Sequence, residues 1–311
     1  MSPEHTLRTG ALIKTFHLRG SLSAQHLLIL KADSTVFLTA VMKGNMLIFA
    51  PFCLLLCCML PADAMTIRFD FTLRDTNQDI PLSMVEDSVD DMYFGCDDAM
   101  METVKNKYIE EETNKGPFLV AWKEAKVCVD EKFEQRKDKA LTKDHMHAIC
   151  VYTGDHLYTD FNTAVRTKRN IYGSSFQFRS LHYLLTSAIK ILNNNYCHTT
   201  YRRVRASFTG EKHQIIRFGS FASSSYKTDL TEFGNETCFK IKTCSGASLK
   251  NYSAYDDREA EVLIPPYEMF NITEISNGQG KFQDLKDCER VFVLESAGVE
   301  SRLNCKVVHN G

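Results

Sequence analysis

Three polar stretches in the second half of the chain combine a guanidinium, hydroxyls and carboxylates. They read YRRV at 201–204, RFGSFASSS at 217–225 and REAEVLIPPYE at 258–268. A guanidinium such as that of Arg202 donates in a fixed plane to paired oxygens. A fixed carboxylate stabilises positive charge that develops during a reaction. On an extended segment, Glu259 and Glu261 would point to the same face and could meet one ligand.

Each stretch taken alone has an ordinary explanation. An arginine such as Arg202 is common on a solvated strand, and serines such as residues 223–225 are common in a polar turn. The two glutamates are of a type common on a protein surface. The three stretches in this order, followed by the long match over 261–270, are far more specific. The chain closely resembles the vertebrate ecto-type, arginine-specific mono-ADP-ribosyltransferases, whose R-S-E signature lies on separate strands of one NAD-binding cleft. The resemblance runs from about Phe69 to Cys305 and includes FNTAVR at 161–166 and SLHYLLT at 180–186.

The resemblance implies a role in NAD chemistry for four residues. Glu261 would hold the ribose 2′-hydroxyl and stabilise the oxocarbenium-like state that forms when the nicotinamide–ribose bond breaks. Arg202 would bind the pyrophosphate and ribose oxygens. Ser223 would position Glu261 and the nicotinamide ribose, and Phe233 would stack on nicotinamide. The catalytic set is therefore Arg202, Ser223 and Glu261, and all four residues would contact NAD.

Recognition of the acceptor is implied for a second set of residues. Glu259 would orient the incoming guanidinium and relieve it of a proton, because an arginine with a pKa above about 12 is a poor nucleophile unaided. Tyr252 and Tyr255 lie in the preceding loop, which recognises the protein substrate in the family. Arg203 stands where many relatives have glycine.

These roles imply one reaction. The chain would transfer a single ADP-ribose from NAD, or from NADP, to arginine side chains of proteins and release nicotinamide. NAD is then a co-substrate, and we expect no bound cofactor. No metal is expected, since the 10 histidines show no H-E-x-x-H pairing. Two alternatives stay open: an NAD glycohydrolase, in which water replaces the guanidinium, and a catalytically silent secreted binding module of the same fold.

Composition excludes several other classes. The 311 residues are 44% hydrophobic and 24% charged, which is ordinary for a globular protein. The net charge of −2 is spread along the chain without a basic stripe, so we expect no nucleic-acid partner. Neither G-x-G-x-x-G nor a Walker loop occurs. We expect a monomer.

The N-terminal part carries an export signal. Residues 46–60 are apolar throughout and are followed by Pro61-Ala62-Asp63-Ala64, which matches a small-x-small cleavage site. We therefore expect an unstructured upstream extension over 1–45, a signal peptide over 46–64 and a catalytic domain over 65–311. A core helix or an uncleaved signal anchor is the alternative. The C-terminal residues lack a polar spacer and hydrophobic tail, so we expect a secreted protein without a membrane span or a glycolipid anchor.

The cysteines also agree with export. Eight cysteines remain after residue 64, and their spacing favours disulfides over zinc ligation. The resemblance implies the bridges Cys96–Cys305 and Cys197–Cys244. The pairing of the other four cysteines, Cys128, Cys150, Cys238 and Cys288, is open, and a Cys238–Cys288 bridge is one hypothesis. Glycosylation sequons begin at Asn235, Asn251 and Asn271.

The elements that must position these residues change character near residue 196. Before it, helical spacing predicts two or three amphipathic helices over 90–139 and a clear helix over 178–193. After it, β-branched and aromatic runs predict strands, which cover 199–208, 214–221, 237–243, 261–264, 270–274 and 290–294. This order predicts an α+β protein. The resemblance adds an ADP-ribosyltransferase-like fold, with two small sheets that enclose an NAD cleft and a helical N-terminal region.

Overall fold

The chain divides into two units, residues 1–59 and 60–311, which are described separately. The computed structural model describes residues 27–32, 35–40, 79–154, 156–255, 258–277 and 281–309. In the first unit, β1 (Leu27–Ala32) and β2 (Thr35–Ala40) pair antiparallel, with Leu27 opposite Ala40. Their content of Val and Thr favours strands, and an unstructured upstream extension over 1–45 was not expected to contain them; the domain boundaries stay predictions. The expected signal peptide lies outside the described residues.

Helices dominate the first half of the second unit. The helix predicted over 178–193 is confirmed as α7 to within one residue at each end, whereas α5 and α6 were not predicted. Among the described residues, no helix is long and apolar enough to cross a membrane. In chain order the α-helices are α1 (Asp97–Thr103), α2 (Ile109–Glu112), α3 (Gly116–Glu124), α4 (Lys126–Gln135), α5 (Lys143–Thr153), α6 (Tyr158–Thr167), α7 (Arg179–Leu192) and α8 (Lys306–His309), with a π-helical turn at Val104–Tyr108 joining α1 to α2.

Strands dominate the second half, which confirms the α+β prediction. Eight of them form one sheet in the order β6-β11-β12-β8-β4-β7-β10-β9, in which only β8 and β12 run parallel. β3 pairs with β5 in a separate small ladder. The strands are β3 (Ile80–Pro81), β4 (His198–Val204), β5 (Phe208–Thr209), β6 (Ile215–Arg217), β7 (Ala222–Ser225), β8 (Thr237–Thr243), β9 (Ala247–Ser248), β10 (Glu261–Ile264), β11 (Glu268–Asn277) and β12 (Arg290–Val299).

The large sheet has two parts with a narrow junction. β6, β11, β12, β8 and β4 form one part, and β7, β10 and β9 form the other. A single residue pair, Tyr201 with Ser225, links β4 to β7. The two sheets expected from the family resemblance are these two parts.

One predicted strand was placed wrongly. The run over 214–221 forms strand structure only at β6, and a second strand, β7, begins at Ala222. Gly219 ends the first run because its φ of +69° belongs to the left-handed region. A Cβ at this glycine would lie 2.5 Å from the Cβ of Val85, so the close approach also excludes a side chain. The sequence prediction therefore missed the strand that carries Ser223.

Two hydrophobic clusters lie on either side of β7 and β10. The first packs α1–α7 against Phe221, Leu249 and Leu263. The second fills the strand-rich part around Phe239 and Phe270. A third, small cluster surrounds Cys238, Leu285, Cys288 and Val291. Four disulfides cross-link the second unit: Cys96–Cys305 and Cys197–Cys244, as expected from the resemblance, together with Cys238–Cys288 and Cys128–Cys150.

Candidate active site

Three adjacent strands carry the arginine, the serine and the second glutamate of the expected site. Arg202 lies on β4, Ser223 on β7 and Glu261 on β10. β7 lies between the other two strands, and Glu261 is directly opposite Ser225 in the antiparallel register. All three side chains are fully buried. The sheet order therefore brings together residues that are up to 59 positions apart in sequence.

Arg202 is a buried cation with spare donors. Its Nη1 donates to the main-chain carbonyl of Ser223. Its Nε and Nη2 have no hydrogen-bond partner among the described residues. Burying donors without partners is costly, so such groups need an explanation. Two unsatisfied N–H groups on one guanidinium suit an anionic ligand that accepts both.

Glu261 is a buried carboxylate with spare acceptors. Neither of its oxygens has a hydrogen-bond partner of ordinary geometry in the described part of the chain. Burial raises the pKa of Glu261 to about 7, while the nearby hydroxyls of Ser223 and Ser253 and the charge of Arg202 act in the opposite direction. A carboxylate held this way is costly to the fold, and perturbed pKa values are typical of functional sites.

Tyr152 is a site residue that the sequence prediction missed. Its hydroxyl donates to the carbonyl of Phe221 at 3.1 Å and lies 3.5 Å from Ser223 Oγ. Asn162 Nδ2 donates to the same hydroxyl at 3.3 Å. Burial raises the pKa of Tyr152 well above its ordinary value, so the ring stays neutral. Tyr152 thus connects the C-terminal end of helix α5 to the start of β7. In the sequence, only the polar residues at this end of α5 could have indicated the contact.

Arg166 provides a second basic group near the same strand. Its Nη2 donates to Ser220 Oγ at 2.8 Å, and its Nη1 donates to the carbonyl of Phe218. Burial, together with the positive charge of Arg202, lowers the pKa of Arg166 to about 10. The motif over 161–166 thus reaches the turn before β7, although the sequence assigned Arg166 no role.

Glu259 and Glu261 do not lie on one extended segment, so the prediction that they share a face of a strand is wrong. β10 begins at Glu261, and Ala260 has a φ of +46°, so the segment is not extended there. Side chains two residues apart share a face only in an extended strand. Glu259 is held instead through its backbone, because Ser225 Oγ donates to its carbonyl. Glu259 is 8% exposed and belongs to the loop before β10.

The two tyrosines of that loop differ. Tyr255 is half-buried, and the guanidinium carbon of Arg258 lies 5.5 Å from its ring centroid. Tyr252 is buried, and its hydroxyl donates to Asp138 Oδ2 at 2.6 Å. The hydroxyl of Tyr252 therefore anchors the loop to the helical region, and recognition of the acceptor by this loop stays a prediction.

Phe233 ends a short 3-10 helix, Thr231–Phe233, which follows β7. The phenyl ring is 5% exposed but lies outside the three hydrophobic clusters of the described residues. The structure places it in a segment that contacts β4, the strand of Arg202.

Several known proteins are similar to this chain in sequence or in fold. The erythroblast NAD(P)(+)–arginine ADP-ribosyltransferase of Gallus gallus is 33% identical over 246 residues, which cover 74% of this chain and 77% of the relative. T-cell ecto-ADP-ribosyltransferase 1 of Rattus norvegicus is 37% identical over 61% of this chain and 70% of its own length. A mutant of the eukaryotic mono-ADP-ribosyltransferase ART2.2, crystallised with NAD, matches with a TM-score of 0.61 and 33% identity over 73% of this chain and 98% of that one. The family model described as NAD:arginine ADP-ribosyltransferase matches residues 82–290, and the chain belongs to that family.

Proposed function

We propose that this protein transfers one ADP-ribose from NAD to arginine side chains of other proteins and that Arg202, Ser223 and Glu261 carry the reaction. The observation behind this proposal is the meeting of a buried guanidinium and a buried carboxylate, both with unsatisfied hydrogen-bonding atoms, across the strand of Ser223. An anionic, hydroxyl-rich dinucleotide would supply acceptors to Arg202 and donors to Glu261.

Cleavage of the nicotinamide–ribose bond explains the need for a carboxylate. As the bond breaks, its electrons leave with nicotinamide and positive charge develops on the ribose. The carboxylate of Glu261 interacts more strongly with that cation than with neutral ribose, and its buried setting strengthens the attraction. Arg202 binds the pyrophosphate and ribose oxygens, Ser223 positions Glu261, and Phe233 stacks on the nicotinamide.

Transfer requires a second carboxylate. The acceptor guanidinium attacks the ribose carbon and must lose a proton, which Glu259 takes. Tyr255, on the same loop, contacts the protein that carries the arginine. NADP serves as an alternative donor, and the protein acts as a monomer.

The disulfides and the sequons support an extracellular setting. Disulfides form and persist in oxidising compartments, and the four bridges therefore support a protein that works outside the cell after removal of residues 46–64. Asn235 and Asn251 are exposed and can carry glycans, whereas Asn271 is half-buried on β11. Mass spectrometry of the mature protein tests the N-terminus and each glycan site.

Incubation with labelled NAD and agmatine, a small guanidine, tests the function. We expect ADP-ribosyl-agmatine and nicotinamide in equal amounts. Glu261→Gln should slow both by roughly 100- to 1000-fold, since it removes a preorganised charge. Nicotinamide with free ADP-ribose alone would favour the glycohydrolase, and no product would favour the silent binding module.

A further inference from the structure

The side chain of Arg203, next to Arg202 on β4, is buried and fixed from two directions. Its Nη1 and Nη2 donate to Asp287 Oδ2 and Oδ1 at 2.7 and 3.0 Å. Its Nε donates to the carbonyl of Thr228 at 2.9 Å. Nη1 also lies 3.5 Å from Cys288 Sγ of the Cys238–Cys288 bridge. The Asp287 carboxylate and the Cys238–Cys288 disulfide therefore fix the guanidinium, and its Nε binds the loop that contains Thr228.

Arg205 holds the other end of the same loop. Its Nη2 donates to the carbonyl of Glu232. Gly234 lies directly against this side chain, because a Cβ built there would be 2.6 Å from Arg205 Cγ. Gly234 also has a φ of +121°, which glycine alone adopts without strain. Residues 228–234, hereafter the 228–234 segment, are thus attached to the end of β4 at two points.

Phe233 depends on these attachments. Within the segment, Thr231 N donates to Asp229 O at 2.8 Å and Gly234 N to Thr231 O at 3.0 Å, which gives a compact turn. No residue of the 228–234 segment belongs to the hydrophobic clusters of the described residues, whereas the segment has the two guanidinium–carbonyl bonds to Arg203 and Arg205. Polar anchors therefore set where the ring lies relative to Arg202.

We propose that Arg203 is a positioning residue that fixes Phe233 relative to Arg202 and thereby sets affinity for the nicotinamide end of NAD. This inference rests on the proposed function, which assigns Phe233 to nicotinamide. Because Arg202 and Arg203 are consecutive on β4, one strand holds both the group that binds the pyrophosphate and the anchor of the ring that stacks. Groups that position a ligand need such second contacts to stay within fractions of an ångström.

The test is a double-mutant cycle between Arg203→Lys and Phe233→Ala. A lysine cannot bind the Asp287 carboxylate bidentately and the Thr228 carbonyl together. We expect Arg203→Lys to raise KM for NAD roughly tenfold with a smaller change in kcat. In the Phe233→Ala background the same change should raise KM less than about twofold, because coupled residues are not additive.

A matched control and a second variant complete the experiment. Arg290→Lys, on β12, removes another guanidinium–carbonyl bond of the same sheet, to Phe208, and should leave KM for NAD unchanged. Asp287→Asn, at a half-exposed site, should raise KM in the same direction by less than Arg203→Lys. If Arg203→Lys does not fold, the cycle is run with Asp287→Asn.

The outcomes separate this inference from the proposed function. An unchanged KM in the anchoring variant, or an equal rise in both backgrounds, overturns the role of Arg203 while leaving the site intact. An unchanged KM in Phe233→Ala alone overturns the assignment of nicotinamide to Phe233, and the role of Arg203 with it. A rise that disappears without Phe233 supports the proposal.

Discussion

The guanidinium of Arg202 donates to the main-chain carbonyl of Ser223 on the neighbouring strand. This bond uses one end of the arginine and leaves Nε and Nη2 without partners among the described residues. Since β4 and β7 share only one bridging pair, the bond also helps to keep the two parts of the sheet in register at the site. The same side chain thus fixes the local backbone and offers two donors to a ligand.

Arg202→Lys should separate these two functions. A lysine can keep one bond to a carbonyl but cannot present a planar pair of N–H donors. We expect KM for NAD to rise at least roughly tenfold, because removing a charge-assisted hydrogen bond costs about 1.5–3 kcal/mol. Initial-rate kinetics with agmatine as the acceptor measure KM for NAD in the variant and in the wild type. A KM within twofold of the wild-type value would contradict the assignment of Arg202 to NAD.

The activity should depend on pH through Glu261. The ionised carboxylate is the active form and its pKa is raised to about 7, so kcat/KM for NAD should fall as the pH drops below about 7. Ser253→Ala removes a hydroxyl that lowers this pKa and should move the midpoint upward. Ser224→Ala is the matched control, because its hydroxyl donates to the Val262 carbonyl at 2.9 Å. Equal midpoints in Ser253→Ala and Ser224→Ala would contradict the role of Ser253.

The ionised form of Glu261, which favours activity, should lower the stability of the folded protein. Because the folded-state pKa of Glu261 is higher than 4.5, the folded protein keeps a proton that the unfolded chain loses between about pH 4.5 and 7. Its contribution to stability therefore falls as the pH rises through that window. Glu261→Gln should raise Tm at pH 8 relative to wild type and change it little at pH 4. A lower Tm at pH 8 would show that burial of the charge is not a cost.

Glu259→Gln should divide transfer from cleavage. The glutamine keeps the size of the side chain but cannot take a proton from the acceptor guanidinium. We expect arginine transfer to fall by roughly 100-fold or more while NAD cleavage to free ADP-ribose persists, since general-base catalysis contributes about that much. Chromatography of labelled products from NAD and agmatine measures both. Equal losses would place Glu259 in bond cleavage instead.

The bridges should differ in their contribution to stability. Cys96–Cys305 joins residues 209 apart, whereas Cys128–Cys150 joins residues 22 apart. In the chain-entropy model, losing the longer one through paired Cys→Ala changes should cost about 2 kcal/mol more in the free energy of unfolding. Denaturant unfolding of the two double variants, with activity as a check on folding, measures the difference. A larger loss for the short bridge would contradict the entropic account.

The sequence predicted elements better than it predicted their junctions. α7 was correct because its apolar residues follow a helical period over four turns, with asparagines after its end. The strand of Ser223 was missed because its residues, Ala222–Ser225, are small and mostly polar, which is typical of a turn. Glu259 was placed on a strand because alternation in sequence does not reveal the left-handed backbone at Ala260.

The missed members of the site have a different cause. Tyr152 and Ser253 come near Ser223 and Glu261 only because α5 and the loop before β10 pack against the same strands. Their residue types are ordinary for a helix and a loop. The contact between Tyr152 and Ser223 spans 71 residues and leaves no local pattern, and the approach of Ser253 to Glu261 depends on how the loop folds back. The R-S-E residues could be named beforehand because their types and order are themselves the signature.

The left-handed backbone of Ala260 places Glu259 and Glu261 in different structural elements. Glu261 is part of the sheet, where any shift would disturb the bond-breaking chemistry. Glu259 is part of the preceding loop, which Tyr252 attaches to Asp138 and the Ala254 amide attaches to Thr153, while Ser225 Oγ donates to the Glu259 carbonyl. We therefore expect substitutions in this loop to change the preference for acceptor proteins more than they change cleavage of NAD.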